Sequence, residues 1–164
     1  MTDLDSPLAL PCGAELPNRI ALAPLTNTQS HADGTLGDDE HRWLLRRARG
    51  GFGLLITAAA YVSDEGRGWV GQLGIAADEH LPRLTDLATA LTDAGSVPVV
   101  QLYHGGAKAF AAPGLRLSTG GPEDARAATA DDLARVTDDF VAAALRAERA
   151  GFAGDFSQEI DVVG

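Results

Sequence analysis

The sequence is short of the residues that build several common kinds of site. It has a single cysteine, Cys12, which excludes an internal disulfide, and no His or Asp pattern accompanies it to mark a nucleophile. None of its four histidines pairs with another His or with Cys at the spacing of metal ligands; they are His31, His41, His80 and His104. No metal site is therefore predicted.

Long apolar runs and basic clusters are also lacking. No run reaches the roughly 18 apolar residues of a membrane span. The chain carries 23 acidic and 13 basic residues, a net charge of −10, so neither nucleic acid nor an anionic membrane is an expected partner. The first ten residues lack the basic segment that opens a secretory signal, which favours a cytoplasmic location.

Three short apolar runs have the length and the Gly or Pro boundaries of buried strands. They cover residues 19–23, 53–58 and 97–102. None alternates cleanly between apolar and polar side chains, which is typical of parallel strands covered on both faces. Residues 7–16 are predicted to form a small hairpin ahead of them.

Amphipathic helices are predicted after each of these strands. Acids 38–40 begin the first helix and Gly50 ends it, and leucines three and four apart mark the second across 78–94. Thr129 is a good N-cap for the third helix. The predicted buried stripe of that helix is Leu133, Val136, Phe140, Ala144 and Ala147.

The resulting β-α-β-α-β-α order indicates an α/β fold with a parallel sheet, either doubly wound or closed as a barrel. No Gly-x-Gly-x-x-Gly turn follows the first strand, which disfavours a dinucleotide-binding Rossmann domain. A fourth strand is predicted to begin at Gly151 and Phe152. The long connection 105–128 is typical of a functional lid or a surface excursion.

Small and polar side chains stand where the strands end, which is where parallel α/β barrels bind ligands. Thr26 offers a hydroxyl, Ala59 leaves room for close approach, and Gln101 offers an amide that donates and accepts. This set suits a flat heterocycle with polar edges. Each residue also has a structural interpretation, in which Thr26 caps a turn, Ala59 packs and Gln101 bonds a loop carbonyl.

Other polar residues are interpreted mainly as structural. Acids 38–40 are taken as a helix start rather than as a catalytic pair, and His31, His41 and His80 as solvated. His104 follows the third strand and is the histidine predicted to contact a ligand. Trp69, in a glycine-rich loop after the second strand, either covers the site or anchors the loop.

Taken together, stretches spread over about residues 8–153 resemble, in order, the Old Yellow Enzyme family of NAD(P)H:flavin oxidoreductases. The stretches are 16–26, 50–57, 73–75, 78–82, 101–106 and 139–152. The resemblance implies that residues 1–164 are the N-terminal portion of an FMN-binding (β/α)8 TIM barrel. About the first three to four βα units of that α/β fold would be present.

The resemblance also implies a cofactor and the residues that hold it. FMN would lie at the barrel mouth, with Pro24, Leu25 and Thr26 lining the flavin and Thr26 bonding its reactive ring. Ala59 would meet the ring through its backbone, and Gln101 would bond the pyrimidine edge. NADH or NADPH would reduce FMN, which passes hydride to an activated alkene or a similar small-molecule acceptor.

Departures from the family pattern fall in the second half of the chain. Ala107 and Lys108 stand where the family usually has an Arg. The tail 154–164 lacks the His-x-x-His or His-x-x-Asn pair that binds the acceptor's carbonyl, and the family's proton-donating Tyr is absent, so no residue is assigned as catalytic. A whole barrel needs about 250 residues, including the strands that bind phosphate. We therefore expect an incomplete, inactive fragment with a divergent or truncated tail.

Two alternatives stay open. The chain could be a non-catalytic half-barrel module whose open sheet edges pair with a second copy or with a separate C-terminal half. It could also be a different α/β barrel, or a flavodoxin-like domain, that shares only the alternation of strands and helices.

Overall fold

A computed structural model describes residues 3–11, 13–112, 114, 116–118 and 125–157, so Cys12 lies outside the described residues. The helices are α1 (Asp38–Arg49), α2 (Leu81–Asp93) and α3 (Ala130–Ala150). Single 3-10 turns cover Asp64–Gly66, Asp78–His80 and Gly106–Lys108. The strands are β1 (Leu8–Ala9), β2 (Glu15–Leu16), β3 (Ala21–Leu22), β4 (Leu54–Tyr61), β5 (Val97–Tyr103), β6 (Arg116–Ser118), β7 (Ala125–Ala127) and β8 (Gly154–Ser157).

Four of these strands form one parallel sheet in the order β3-β4-β5-β8, which is also their order along the chain. A doubly wound sheet reverses its strand order at a switch point, where its ligand binds. The described strands of this sheet run through without a reversal. Strand order therefore favours the barrel over the doubly wound alternative.

The core lies between this sheet and the three helices. Leu55 of β4 and Val100 of β5 are fully buried against Leu84 and Leu87 of α2, and Ala147 of α3 belongs to the same cluster. Each fully buried leucine contributes about 1.5–3 kcal/mol by leaving water. One face of the sheet is thereby covered by helices. Among the described residues no helix packs on the opposite face, which is called the helix-free face below.

The predicted strands are confirmed in place, and the largest changes of length are in β3 and β4. β3 covers only Ala21–Leu22, because the chain then turns away to form the next connection. β4 runs on to Tyr61, so Ala59 lies inside the strand and not after it as predicted. The fourth strand begins at Gly154 rather than at Gly151, since Gly151 adopts the left-handed conformation that ends α3.

The cap of α3 is confirmed, but its buried stripe was partly wrong. The Thr129 hydroxyl accepts the backbone N–H of Asp132, and the Asp132 carboxylate accepts the N–H of Thr129. Val136 and Ala147 are buried as predicted, whereas Leu133 is 48% exposed. The buried face is instead completed by Ala143 and Ala150, because the helix packs close to α2 through small residues.

The predicted hairpin is confirmed, since β1 and β2 pair antiparallel through Leu8–Leu16 and Ala9–Glu15. The long connection 105–128 contains β6 and β7, which pair in parallel with each other.

No helix among the described residues has the length and apolar character needed to cross a membrane. Within those same ranges, no three His, Cys, Asp or Glu side chains are grouped to hold a metal ion.

Candidate functional site

The carboxyl ends of β4 and β5 bring two of the predicted site residues together. Ala59 and Gln101 are direct partners in the parallel ladder, and the pairs Ala60–Leu102 and Tyr61–Tyr103 follow them. Ala59 is 2% exposed and Gln101 is 7% exposed. A small side chain and a carboxamide thus lie side by side at the end of the sheet where α/β barrels bind ligands.

A β-bulge in β4 brings Ala59 opposite Gln101. Between the Ile56–Val99 pair and the Ala59–Gln101 pair, β4 advances by three residues while β5 advances by two. The Thr57 hydroxyl oxygen accepts the backbone N–H of Gln101 at 3.2 Å, in place of a backbone carbonyl. Bulges are common next to active sites, because the extra residue redirects the side chains that follow.

The same bulge decides which face of the sheet Ala59 occupies. Leu55 and Ala60 both belong to the core cluster beneath the helices, although strict alternation would put residues five apart on opposite faces. The extra residue therefore turns Ala59 away from the helices. Gln101 lies between two members of that cluster on β5, so it points to the same helix-free face as Ala59.

The end of β3 leads into residues 24–26, the third predicted part of the site. Leu22 pairs with Leu55, so Thr26 is four residues beyond that pair, as Ala59 is on β4. Of residues 24–26, the first is half-buried and the other two are exposed. The structure therefore places all three strand ends at one edge of the sheet. A ligand contact that Thr26 shares with Ala59 stays a prediction.

The connection after β4 contacts the ends of all three strands. Trp69 Nε1 donates to the carbonyl of Asn27 at 2.8 Å, and its ring meets that of Tyr103 edge-on at 5.6 Å. Gln72 donates from Nε2 to the carbonyl of Ala59 at 3.0 Å. Trp69 is thus a loop anchor, one of its two predicted roles. Gln72 was missed, because a single glutamine in a loop carries no periodic signal.

His104 is buried, with 2% of its surface exposed. Its Nδ1 accepts the backbone N–H of Gly106 at 3.1 Å, and Gly66 packs directly on its ring. Burial lowers the pKa of His104 below its usual value; Glu65 opposes this and Arg135 adds to it. The ring is therefore neutral at pH 7, with its proton on Nε2, which has no partner among the described residues. Ligand contact stays a prediction.

His80 is not solvated, which corrects the prediction made for it. It is 6% exposed, and its Nε2 lies 3.0 Å from the carbonyl oxygen of Asp33. The Tyr61 hydroxyl donates to the same oxygen at 2.8 Å, and the two rings pack edge-on. Together they hold the turn around Asp33 against the end of β4. The sequence pattern of a helix start does not report this tertiary contact.

Glu40 is the second residue whose surroundings the sequence analysis missed. It begins α1 as predicted, yet it is 1% exposed, and its Oε2 accepts the Ser30 hydroxyl at 3.0 Å. Burial raises the pKa of the Glu40 carboxyl above its usual value, and hydrogen bonds from Asn27 and Ser30 pull it down by less. The buried Glu40 carboxyl thus contacts the connection after β3, which also carries Thr26.

We predict that Glu40→Gln stabilises the protein near pH 7.5 and has little effect near pH 4. With the pKa of Glu40 raised in the folded state, the unfolded chain loses this proton first as pH rises. The free energy of unfolding that the protonated Glu40 contributes is therefore greatest below the pKa that this carboxyl has in the unfolded chain. It is lost as pH rises through the higher pKa of the folded state. Urea unfolding midpoints of both proteins at the two pH values measure this difference.

Asp39→Asn is the matched control, because Asp39 lies in the same helical turn with 76% of its side chain exposed. It also removes one negative charge from the acidic protein. If both substitutions change the urea midpoint equally at the two pH values, the burial of Glu40 does not cause the change in stability.

Comparison with known proteins identifies a family and several relatives. A model described as the NADH:flavin oxidoreductase / NADH oxidase family matches residues 3–155. A probable NADH-dependent flavin oxidoreductase of Bacillus subtilis (strain 168) is 34% identical over 159 residues, covering 92% of this chain and 42% of that protein. The NADH:fumarate oxidoreductase of Klebsiella pneumoniae (strain 342) is 36% identical over 100 residues, covering 61% of this chain and 11% of that protein.

The fold agrees with a solved structure. The Old Yellow Enzyme homologue from Zymomonas mobilis superposes with a TM-score of 0.83 and 27% identity. The superposition covers 95% of this chain and 48% of that protein. The chain therefore spans less than half the length of each of these three relatives. Over the part that it spans of the Zymomonas mobilis protein, the fold is the same.

Proposed function

This chain belongs to the NADH:flavin oxidoreductase / NADH oxidase family, and on that premise we propose that it forms the flavin-ring site of an FMN-dependent oxidoreductase. In this family FMN is the cofactor and NADH or NADPH is the reductant. The proposed overall reaction passes hydride from NAD(P)H, through FMN, to an activated alkene or a similar small-molecule acceptor.

One observation carries the proposal: Ala59 and Gln101 are ladder partners on the helix-free face of the sheet. An alanine presents only a methyl group to a flat ring, so the ring can lie closer to the strand there than it could over a larger side chain. The Gln101 carboxamide has both a donor and an acceptor, which matches the alternating groups of a pyrimidine edge. This pairing supports the proposal, because two neighbouring strand ends would together offer room for a flavin ring and hydrogen bonds to its edge.

The residues at the other strand end fit the same cofactor. Pro24 and Leu25 would form an apolar wall, and the exposed Thr26 hydroxyl would bond the reactive part of the ring. The flavin supplies the hydride chemistry when bound. The protein's own residues orient the ring and set the hydrogen bonds that tune it, and we propose His104 as a further contact.

The acceptor class is proposed from the chemistry of a relative. The Klebsiella protein is named for the reduction of fumarate, an alkene conjugated to carboxyl groups. We extend that class, an alkene activated by an electron-withdrawing group, to this chain. The location proposed for the protein is the cytoplasm, as expected from the sequence.

Titration of the purified chain with FMN and with lumiflavin, which is the ring without its phosphate-bearing chain, tests the proposal. We expect both to bind in the micromolar to millimolar range, seen as quenching of flavin fluorescence. Comparable affinities are expected because the assigned contacts all lie on the ring. If neither compound binds, the assignment of Ala59 and Gln101 to a flavin site is wrong.

A second candidate function is a non-catalytic half-barrel that assembles with a second copy or with a separate C-terminal half. A groove of about 430 Å³ between α3 and β8 favours it. Val141 and Leu145 line this groove and are 54% and 56% exposed. Such apolar surface is more typical of a contact with another chain segment than of a free face.

Size-exclusion chromatography followed by flavin titration of the eluted species separates the two candidates. A monomer that quenches flavin fluorescence on titration supports the first candidate. A flavin-free dimer supports the second, and Val141→Glu should then return it to a monomer, because a buried charge without a partner opposes association.

A further inference from the structure

The upper half of β4 has an unusual neighbour on the side away from β5. β3 ends at Leu22, and the segment 71–75 takes its place beside Tyr61. The Tyr61 N–H donates to the carbonyl of Leu73 at 2.9 Å, and the Ile75 N–H donates to the carbonyl of Tyr61 at 3.0 Å. Segment 71–75 therefore lies against the strand that carries Ala59.

The other side of segment 71–75 holds the connection after β3. The Ser30 N–H donates to the carbonyl of Gly71 at 3.1 Å, and the Gly74 N–H donates to the carbonyl of Gly34 at 2.9 Å. Gly71 has φ +80°, and a Cβ there would lie 2.6 Å from the carbonyl oxygen of Thr28. The segment is thus inserted between the end of β4 and the connection that begins with residues 24–26.

Gln72 is the side chain that joins this inserted segment to the candidate site. It is fully buried, with 0% of its surface exposed. Its Nε2 donates to the carbonyl of Ala59 at 3.0 Å, and its Oε1 accepts the N–H of Gly68 at 2.7 Å. Both ends of the amide therefore have partners, one on the strand and one in the loop that carries Trp69.

We propose that Gln72 is a positioning residue of the flavin site, acting through the Ala59 peptide; this inference rests on the proposed function. A peptide group is planar, so fixing the direction of the Ala59 carbonyl also fixes the direction of the Ala60 N–H. Ala59 is the residue that the ring approaches most closely in the proposed site. Gln72 thus holds the peptide plane that faces the ring without touching the ring itself.

Two substitutions separate the two hydrogen bonds of Gln72. Gln72→Met keeps the length of the side chain but removes both bonds. Gln72→Glu keeps an oxygen that accepts from Gly68 but cannot donate to Ala59 unless it is protonated. We expect both variants to raise the dissociation constant of FMN by roughly tenfold. If the peptide between Ala59 and Ala60 rotates, the ring loses a contact worth about one hydrogen bond.

Ser96→Ala is the matched control. Ser96 is also buried, at 4% exposure, and its hydroxyl donates to the carbonyl of Phe52 at 2.6 Å. It precedes β5 and therefore lies at the opposite end of the sheet from Ala59. Like the Gln72 variants, the control is expected to lower thermal stability, but its FMN affinity should stay within about twofold of the parent.

The FMN affinities of the parent and the two Gln72 variants separate the positioning role from the flavin site itself. If the parent binds FMN and Gln72→Met binds it equally well, the positioning role is wrong while the flavin site stands. If Gln72→Met is weakened while Gln72→Glu matches the parent even at pH 9, where ionisation of the carboxyl is favoured and removes its donor, the Gly68 bond is responsible and the role assigned through Ala59 is wrong. If the parent itself binds no flavin, the proposed function fails and the inference fails with it.

A measurement on the unmodified chain covers the case in which the variants do not fold. The side-chain amide of Gln72 gives its own pair of signals in a nitrogen–proton NMR spectrum. Adding FMN should shift this pair, because the carbonyl that it bonds belongs to the peptide facing the ring. Flavin binding that leaves the Gln72 signals unchanged would overturn the inference.

Discussion

Gln101→Ala is expected to weaken FMN binding by roughly tenfold to a hundredfold, about 1.4–2.7 kcal/mol. The carboxamide is assigned to bond a donor and an acceptor on the ring edge, and its loss leaves both ring atoms without partners. The substitution keeps the backbone, because the bond from the Gln101 N–H to the Thr57 hydroxyl does not involve the Gln101 side chain. Flavin fluorescence titration of the variant and the parent measures the difference.

Gln29→Ala is the matched control for this prediction. Gln29 is an exposed glutamine in the connection after β3, and its replacement removes the same carboxamide from a position that the proposed site does not use. Affinity for FMN should stay at the parental value. Unchanged affinity in Gln101→Ala would remove that residue from the site and leave the predicted recognition of the pyrimidine edge without support.

Leu87→Ala is expected to destabilise the fold by about 3 kcal/mol, within the range of 2–5 kcal/mol for buried leucines. Leu87 on α2 is fully buried in the cluster between helices and sheet, so truncation leaves a cavity that the neighbours fill only in part. A loss of this size is a large share of the stability of a domain. Equilibrium unfolding in urea measures it through the shift of the midpoint.

Leu133→Ala is the companion measurement, because the sequence pattern placed Leu133 in the buried stripe of α3 and the structure exposes 48% of it. A change within about 0.5 kcal/mol is expected for an exposed position. A loss for Leu133→Ala that equals the loss for Leu87→Ala would show that the stripe predicted from the sequence is correct and that the face is covered in solution.

The elements that could be predicted from the sequence are those whose signal is local. Thr129 and Asp132 stand at the spacing of a capping box, and the structure forms its two hydrogen bonds. Leucines three and four apart marked α2, and four of its residues are buried as one stripe. The position of Gln101 at a strand end could also be predicted, because a short apolar run fixes where a strand stops.

The surroundings of several polar residues could not be predicted, because their partners are distant in the chain. The oxygen that His80 contacts is 47 residues away on Asp33, and Thr57 accepts from Gln101 across 44 residues. The local sequence pattern predicted only that Glu40 begins a helix. Its burial depends on how the connection after β3, which includes Ser30, folds over it.

By itself, the amino-acid sequence determined the α/β class, the order of strands and helices, and the family, since these depend on periodicity, caps and ordered motifs. Only the tertiary structure decided that a bulge turns Ala59 toward Gln101 and that Gln72 holds the Ala59 carbonyl. The physical reason is that alternation along a strand is a local property, whereas a register shift and a buried amide bond depend on which backbone atoms of separate segments are brought within hydrogen-bond distance.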